Sequence, residues 1–484
     1  MSDRAGTAIE EAIDLENSYD FKGAKKIYKD LLDNAVDEKI LEKAKWRMED
    51  MDDLIAEKTV YERIDENGKR VLTEIGMNIA ENQTLMDILM EADAVDFESD
   101  TALFIPLKRD YLDRCLEQVP RHMPGDPGKN TFGTGATPPF LKRVTDDELR
   151  AANRDEYENI ARVVGGQQDV VGIFSLPVAN DKSISLFQVA QLMEKYFEGL
   201  KMTATKGMSD DEVTFLKDKD HWVDGTSLIT SLAPMGTMVE PFLRSVRTGN
   251  NLLLLDLTIA GMSGGGSPES LLTQIHAQVM FMMVIAQIVN PGISCMHGGI
   301  PGVVEMGGDL SYSSPHQPLI NAAMARVNTW VTGFPSAQSG GSTSLTDLTV
   351  QSVSESELSR NSMRKYGVHI VRHAMGAMGS LNFFSLEKFL EDCERERRSK
   401  KIFEESPKDR GVIPMYFPED DEALSGIREI AEKGNPKSAD HTLKNVDSFR
   451  LWENKINEAA KKKLYYPQLN DTVIEIISRG EMIP

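Results

Sequence analysis

The sequence is poor in cysteine, in basic charge and in long hydrophobic runs, and each shortage excludes a class of protein. Three cysteines (Cys115, Cys295 and Cys393) in 484 residues cannot supply a disulfide framework, so a reducing, cytoplasmic setting is expected. Lysine and arginine total 54 against 76 aspartates and glutamates, a net charge of −22. That surplus repels phosphate backbones, so no nucleic-acid partner is expected, and it suits solubility and a cationic ligand. The longest apolar stretch, residues 279–289, is broken only by Gln287 and falls short of the roughly 20 residues that cross a bilayer. The opening Met1-Ser-Asp-Arg-Ala-Gly6 lacks the apolar run of a signal peptide. Neither secretion nor a membrane is expected. Also missing are a G-x-G-x-x-G fingerprint, a P-loop lysine and any defensible Ser-His-Asp or Cys-His spacing. Cys295-Met-His297 offers a thiol and an imidazole, yet no second close pair completes the ligand set that zinc demands. No metal is expected.

Residues 1–58 stand apart as a charged stretch with almost no glycine or proline. Ala24, Ile27, Tyr28, Leu31 and Leu32 fall on one helical face, and Ile40, Leu41, Ala44, Met48, Met51 and Leu54 repeat the pattern after Asp33-Asn34. The spacing predicts a helical hairpin resembling a single tetratricopeptide-type unit. One such unit cannot bury its own face, so it needs the body of the protein or a neighbouring subunit.

From residue 59 onward, short β-rich runs alternate with helical stretches. Strands are expected at 170–175, 201–206, 227–233, 252–259, 293–297 and 368–372, with helices at 150–164, 186–199, 269–289 and 317–330. Repeated βα units imply a parallel sheet. Leu252-Leu-Leu-Leu255 is apolar without alternation, as a strand covered on both faces should be. The fold class expected is α/β, a (β/α)8 TIM barrel over 59–484 with an N-terminal helical extension. In such a barrel the site lies on the loops after the strands.

Several segments there could carry chemistry. Gly261-Met-Ser-Gly-Gly-Gly-Ser-Pro-Glu269 follows a strand, with Ser267 as N-cap and Pro268 at the first helical position. Its glycines Gly264, Gly265 and Gly266 either admit a ligand close to the backbone or simply make a tight turn. Residues 336–357 read by composition as a polar linker. His297 and His373 lie near strand ends, as pocket residues or as satisfied core histidines. Phe132, Phe174, Tyr312, Trp330 and Phe334 sit beside these loops. Rings around a small pocket in an acidic protein would suit a quaternary ammonium, although ordinary core packing explains any one ring. Asp256 interrupts an apolar run and is either hydrogen-bonded in place or a counter-charge for a cation, and Glu305 is a more exposed candidate of the same kind.

Phe132-Gly-Thr-Gly135, Phe174-Ser-Leu-Pro-Val178, Met262-Ser-Gly-Gly-Gly-Ser-Pro268, Ala286-Gln-Ile-Val-Asn-Pro-Gly292 and Gly333-Phe-Pro-Ser336 occur in order, with Tyr465-Tyr-Pro-Gln-Leu-Asn470 near the end. At their spacing these segments resemble the trimethylamine methyltransferase family of corrinoid-dependent methyltransferases, over residues 65–484. The resemblance implies a (β/α)8 barrel that moves a methyl group from a methylated amine to Co(I) of a separate corrinoid-binding protein. No cofactor is then held tightly: the corrinoid (cobalamin) comes with the partner, and a homo-oligomer is expected. Trimethylamine enzymes carry pyrrolysine at the position that aligns with Ser342. The chain is therefore similar to the branch without it, whose members demethylate glycine betaine, proline betaine and carnitine. Such donors release a neutral amine, so the work left to the protein is alignment and exclusion of water. The chain departs from the trimethylamine enzymes at His276-Ala-Gln278, at Ser313-Ser-Pro-His316 and around Ala377-Met-Gly-Ser380.

The resulting expectation is a quaternary-amine:corrinoid methyltransferase, glycine betaine first among donors. Ser342, His297 and Glu305 are its expected catalytic residues, with Ser342 lining the mouth. Phe132, Phe174, Tyr312, His373 and Asp256 are expected to bind substrate, the rings facing the cation, and Gly264, Gly265 and Gly266 to face the corrinoid. The alternatives are a relative using a methylamine or methoxy donor and a non-catalytic betaine-binding protein.

Overall fold

The computed structural model describes residues 2–34, 37–96, 103–123, 125–128, 131–135, 138–143, 148–176, 184–304, 310–404, 420–434 and 440–441. Glu305 and the 465–470 segment lie outside the described residues.

Four helices open the chain: α1 (Ser2–Asn17), α2 (Phe21–Asn34), α3 (Glu38–Met48) and α4 (Met51–Arg70). The expected hairpin corresponds to part of this group, and α4 runs through the expected boundary at 58. The apolar faces of α1–α3 and the start of α4 close over one cluster that includes Ala12, Ala24, Tyr28, Leu31, Ala44 and Leu54. The unit is seated on the body through Trp330, whose ring stacks on Tyr19 at 5.8 Å and meets Phe21 edge-on at 5.0 Å. Arg326 lies over the same indole at 4.3 Å and reaches Glu57 of α4 at 2.7 Å.

The body is α/β. Eight short strands carry it: β1 (Thr131–Phe132), β2 (Ile173–Phe174), β3 (Leu200–Thr203), β4 (Trp222–Thr226), β5 (Leu252–Ile259), β6 (Cys295–Gly302), β7 (Ala337–Ser339) and β8 (Ile370–Arg372). They form one five-stranded sheet in the order β6-β5-β4-β3-β2 and one three-stranded sheet in the order β7-β8-β1. Every neighbouring pair in them is parallel. Single parallel bridges, Gly133 to Ile173 and His297 to Ser336, connect the two sheets at both edges. Seven of the eight strands contribute to a common apolar cluster: Ile173, Leu200, Met202, Val223, Leu253, Met296, Ala337 and Ile370, with Met123 from outside the strands. That cluster defines the inner face of the strands, and because side chains alternate along a strand it fixes which residues point inward.

Four helices of the body matter for the site: α5 (Pro268–Val289), α6 (His316–Arg326), α7 (Val350–Lys365) and α8 (Leu386–Glu404). Ser267 caps α5 by accepting the Ser270 N–H at 3.1 Å, with Pro268 at its first turn. The helix is largely apolar and is buried on every side, its polar residues included. By length and composition it could cross a membrane, yet 89% of its most apolar window is buried inside the protein. A π-helical turn, Val327–Thr332, extends α6 and carries Trp330.

The strand expected at 252–259 has those bounds. The one expected at 227–233 is instead a small hairpin, Ile229–Thr230 with Ala233–Pro234, turning through Ser231 and Leu232 at φ 48° and 64°. The parallel strand of that unit is β4, whose Asp224 breaks the apolar pattern. Asp224 is nonetheless buried, accepting the Thr205 N–H at 3.0 Å and hydroxyl at 2.7 Å. The Ser/Gly stretch is no linker at its start: Ala337–Ser339 form β7, and Gly340, Gly341 and Ser342 are buried behind it.

Candidate active site

The inner face at the C-terminal ends of β7 and β8 brings together polar groups. Ser339 pairs in register with Arg372, so both side chains share the face defined by Ala337 and Ile370. His373 follows directly at φ 62°, a left-handed conformation that aims its imidazole back at β7. Its Nδ1 lies 2.7 Å from the Ser339 hydroxyl, and the same hydroxyl lies 2.7 Å from the Tyr312 hydroxyl. Gly135 leaves room for the imidazole, since a Cβ there would fall 1.8 Å from its Cδ2.

Burial sets the ionisation of this wall. It pushes the Tyr312 phenol up to about 12 despite its bond to Ser339 and the nearby Arg372 charge. Burial, then the Arg372 charge, holds the His373 imidazole well below its ordinary value. Arg372 is itself only 2% exposed, and burial draws its guanidinium down to about 10 while Tyr312 pulls the other way. Its Nη1 reaches the Met202 sulfur at 3.9 Å, across the inner face. Its Nε and Nη2 have no hydrogen-bond partner among the described residues.

A second layer holds the segment after β8. Asp392 of α8 is bound by Arg360 of α7 at 2.8 Å and by Lys388 at 2.5 and 2.6 Å, and accepts the Gly376 N–H at 3.0 Å. Arg360 also donates to the Ala374 carbonyl at 2.9 Å. Gly341, at φ 75°, lies where a Cβ would meet Arg360 and Ala374 at 2.7 and 2.8 Å. This close approach seats Ser342, whose hydroxyl donates to the Ala377 carbonyl at 3.0 Å.

Of the residues singled out from sequence, Tyr312 and His373 share this wall, with Ser342 on an adjoining loop. Seven others belong elsewhere. Phe174 points outward, the alternate of the inward Ile173, and packs edge-on against Phe197 at 5.3 Å. Phe132 pairs with the outward Val371 and lies under the Arg364 guanidinium at 4.6 Å. Neither ring can face a ligand inside the strands. Asp256, the alternate of the inward Leu255, faces α5 and accepts from Thr258 Oγ1 at 2.9 Å and Gln278 Nε2 at 3.0 Å. Burial pushes its carboxyl up to about 7 even so.

His297, next to the inward Met296, also faces α5. The Gly299 N–H donates to its Nδ1 at 3.2 Å, which leaves Nε2 to donate to His276 Nδ1 at 3.2 Å. His276 Nε2 donates in turn to Asp65 of α4 at 3.0 Å, and Lys69 bonds the same carboxylate at 2.9 Å. Burial, and then His276, drives the His297 imidazole well below its ordinary value. Burial raises Asp65, but His276 and Lys69 outweigh it and bring the carboxyl down to about 2. The chain Lys69–Asp65–His276–His297 therefore joins α4, α5 and β6 as a closed core network.

The glycine loop is likewise packed. Gly264, Gly265 and Gly266 are buried, and a Cβ would meet Thr258 at 2.3 Å from Gly264 and Ser270 at 1.9 Å from Gly265. These residues make a tight turn onto α5 and offer no face to a corrinoid. The departures at His276-Ala-Gln278 on α5 also find roles: His276 completes the Asp65 pair, and Gln278 joins Asp256 to the Leu232 N–H, accepted at 2.7 Å.

Sequence reasoning missed Arg372 and Ser339. Alternation from Ile370 in Ile370-Val-Arg372 was the available signal for the first, and β7 lay hidden in a composition that reads as linker.

Residues 216–464 match the sequence profile of the family described as trimethylamine methyltransferase (MTTB). The chain is 24% identical over 445 residues to the glycine betaine methyltransferase of Desulfitobacterium hafniense (strain Y51), a match covering 85% of each chain. It is 21% identical over 433 residues to the L-carnitine:corrinoid methyltransferase of Eubacterium limosum, covering 79% of this chain and 83% of the other. Among solved structures it is similar to the monomethylamine methyltransferase of Methanosarcina barkeri, at 11% identity and a TM-score of 0.46, covering 82% of this chain and 87% of that one. The chain belongs to the trimethylamine methyltransferase family, on the branch that lacks pyrrolysine.

Proposed function

We propose that this protein takes a methyl group from a quaternary amine and delivers it to Co(I) of a corrinoid carried by a separate protein. The observation that carries the reading is the inner wall of Tyr312, Ser339, His373 and Arg372 at the strand ends, in a chain whose two curated relatives are named for glycine betaine and carnitine. We also read the eight strands as one closed (β/α)8 barrel, supported by the bridges at both sheet edges and by the shared inner cluster. In such a barrel the C-terminal strand ends are where chemistry is done.

The chemistry asks little of the wall. A quaternary nitrogen already bears the charge that makes its methyl carbon electrophilic. The carbon–nitrogen bond breaks with both electrons staying on nitrogen, the methyl carbon bonds to cobalt, and a neutral tertiary amine departs. Cobalt passes from Co(I) to methyl-Co(III), and no proton moves. The Tyr312 ring supplies an electron-rich surface for the cation. The Ser339 bridge fixes that ring against His373, so the donor meets a preorganised wall.

The test is absorbance of reduced corrinoid protein mixed with enzyme and one donor at a time: glycine betaine, carnitine, proline betaine, choline, tetramethylammonium and trimethylamine. Loss of the Co(I) band with a quaternary amine, and none with trimethylamine, is expected. Silence with every quaternary amine, in the presence of the cognate corrinoid protein, would refute the proposal.

A further inference from the structure

The geometry points to Arg372 as the seat of a substrate carboxylate, which makes the methyl donor a zwitterion with its carboxylate directed into the strands and its ammonium toward the mouth. This inference deepens the function proposed above and rests on it. It begins from an anomaly: a guanidinium 2% exposed, on the inner face, with Nε and Nη2 unpartnered among the described residues. Burying a cation without a counter-charge is costly, and a fold keeps such a group where a ligand completes it.

The unpaired edge says which ligand. Nε and Nη2 lie side by side on a guanidinium and make the two-pronged fork that matches the two oxygens of a carboxylate. This protein uses the same edge elsewhere. Arg63 grips Glu269 through Nε and Nη2 at 2.7 Å each, and Arg397 grips Asp169 at 2.6 and 2.9 Å. Among the described residues Arg372 engages through Nη1 alone, with the Met202 sulfur at 3.9 Å, and that contact anchors the group while leaving the fork open.

The neighbours fix the orientation. Met202 belongs to the inner apolar cluster, so the guanidinium lies against the floor of the face. Tyr312 packs with Ala377, Leu381 and Leu310 beyond the strand ends. Leu257, the inward residue near the end of β5, is 42% exposed, which puts the open side at that level. A donor with its carboxylate on Arg372 and its ammonium beside Tyr312 presents its methyl groups to the open side, where a corrinoid must approach. A donor that is only a cation, such as choline or tetramethylammonium, meets an uncompensated like charge instead.

Calorimetric titration of glycine betaine and choline into the full-length wild-type protein and into Arg372→Met tests this. Wild type should bind glycine betaine and reject choline, and the variant should bind glycine betaine on the order of 100-fold more weakly. Its melting temperature should not fall, since a buried unpaired charge has been replaced by an apolar chain of similar length. Unchanged betaine affinity in Arg372→Met would overturn the inference, as would equal wild-type affinity for choline. If no quaternary amine donates a methyl group, the function proposed above fails by itself. Dimethylglycine binding to wild type but not to the variant then still supports the carboxylate seat, and its absence overturns it.

Discussion

Asp256 shows how a single inward–outward choice decides a residue's role. Its carboxyl is buried against α5 with Oδ1 unpartnered among the described residues, and burial pushes it up to about 7. An acid raised in the folded state keeps its proton there after the unfolded chain has lost it. Its contribution to stability is therefore complete below the unfolded value near 4 and is lost as pH climbs through about 7. Asp256→Asn should remove that dependence, stabilising the protein at pH 8 by up to about 4 kcal/mol and changing little at pH 4. Melting temperatures of both proteins across that range check it. A variant that melts lower at pH 8 would mean that the carboxylate is matched by a charge. The sequence marks Asp256 as unusual because it breaks an apolar run, and that much is legible. Which face it occupies is not, because β5 is apolar on both sides and alternation leaves no trace. The same limit misplaces Phe132 and Phe174: strands of two residues carry no period from which to read a side.

At the scale of elements, the long apolar ones are the most legible. β5 and α5 follow from their largely apolar runs, and α5 also from the Ser267-Pro268 start signal. Strands whose stability comes from buried polar pairs, such as β4 and β7, read instead as loops. Elements α7 and α8 are similar in kind, since charge rather than apolar area joins them at Arg360, Lys388 and Asp392. Asp392→Ala would leave two buried cations facing one another and free the Gly376 N–H. A loss of about 3–5 kcal/mol is expected, read by denaturant unfolding. Because the same carboxylate ties down the segment after His373, turnover should fall as well in whatever folded fraction remains. Full turnover per folded molecule would show that this tether is dispensable.

For the whole molecule, helical periodicity at the start of the chain was legible, whereas the cluster that α1–α3 and the start of α4 bury among themselves was not. Nor was the seat of that unit, since Trp330 lies on a π-helical turn far along the sequence. That indole gathers Tyr19, Phe21, Tyr61 and Arg326 around it. Trp330→Ala should cost about 3 kcal/mol and loosen the first fifty residues from the body. Limited proteolysis should then cut within α1–α3 before the body is touched. Cleavage no faster than in wild type would mean that the Arg326–Glu57 pair holds the unit without the ring.

The Tyr312–Ser339–His373 bridge has a bearing on where such an enzyme can work. Its phenol gives up a proton only near pH 12 and the neighbouring guanidinium only near 10, while the imidazole stays neutral until well into the acid range. Across the whole neutral region the wall is electrically the same object. Initial rates measured from pH 6 to pH 9 should trace a plateau rather than a bell. A cell whose own metabolism sours or sweetens its interior would find this step indifferent to the swing.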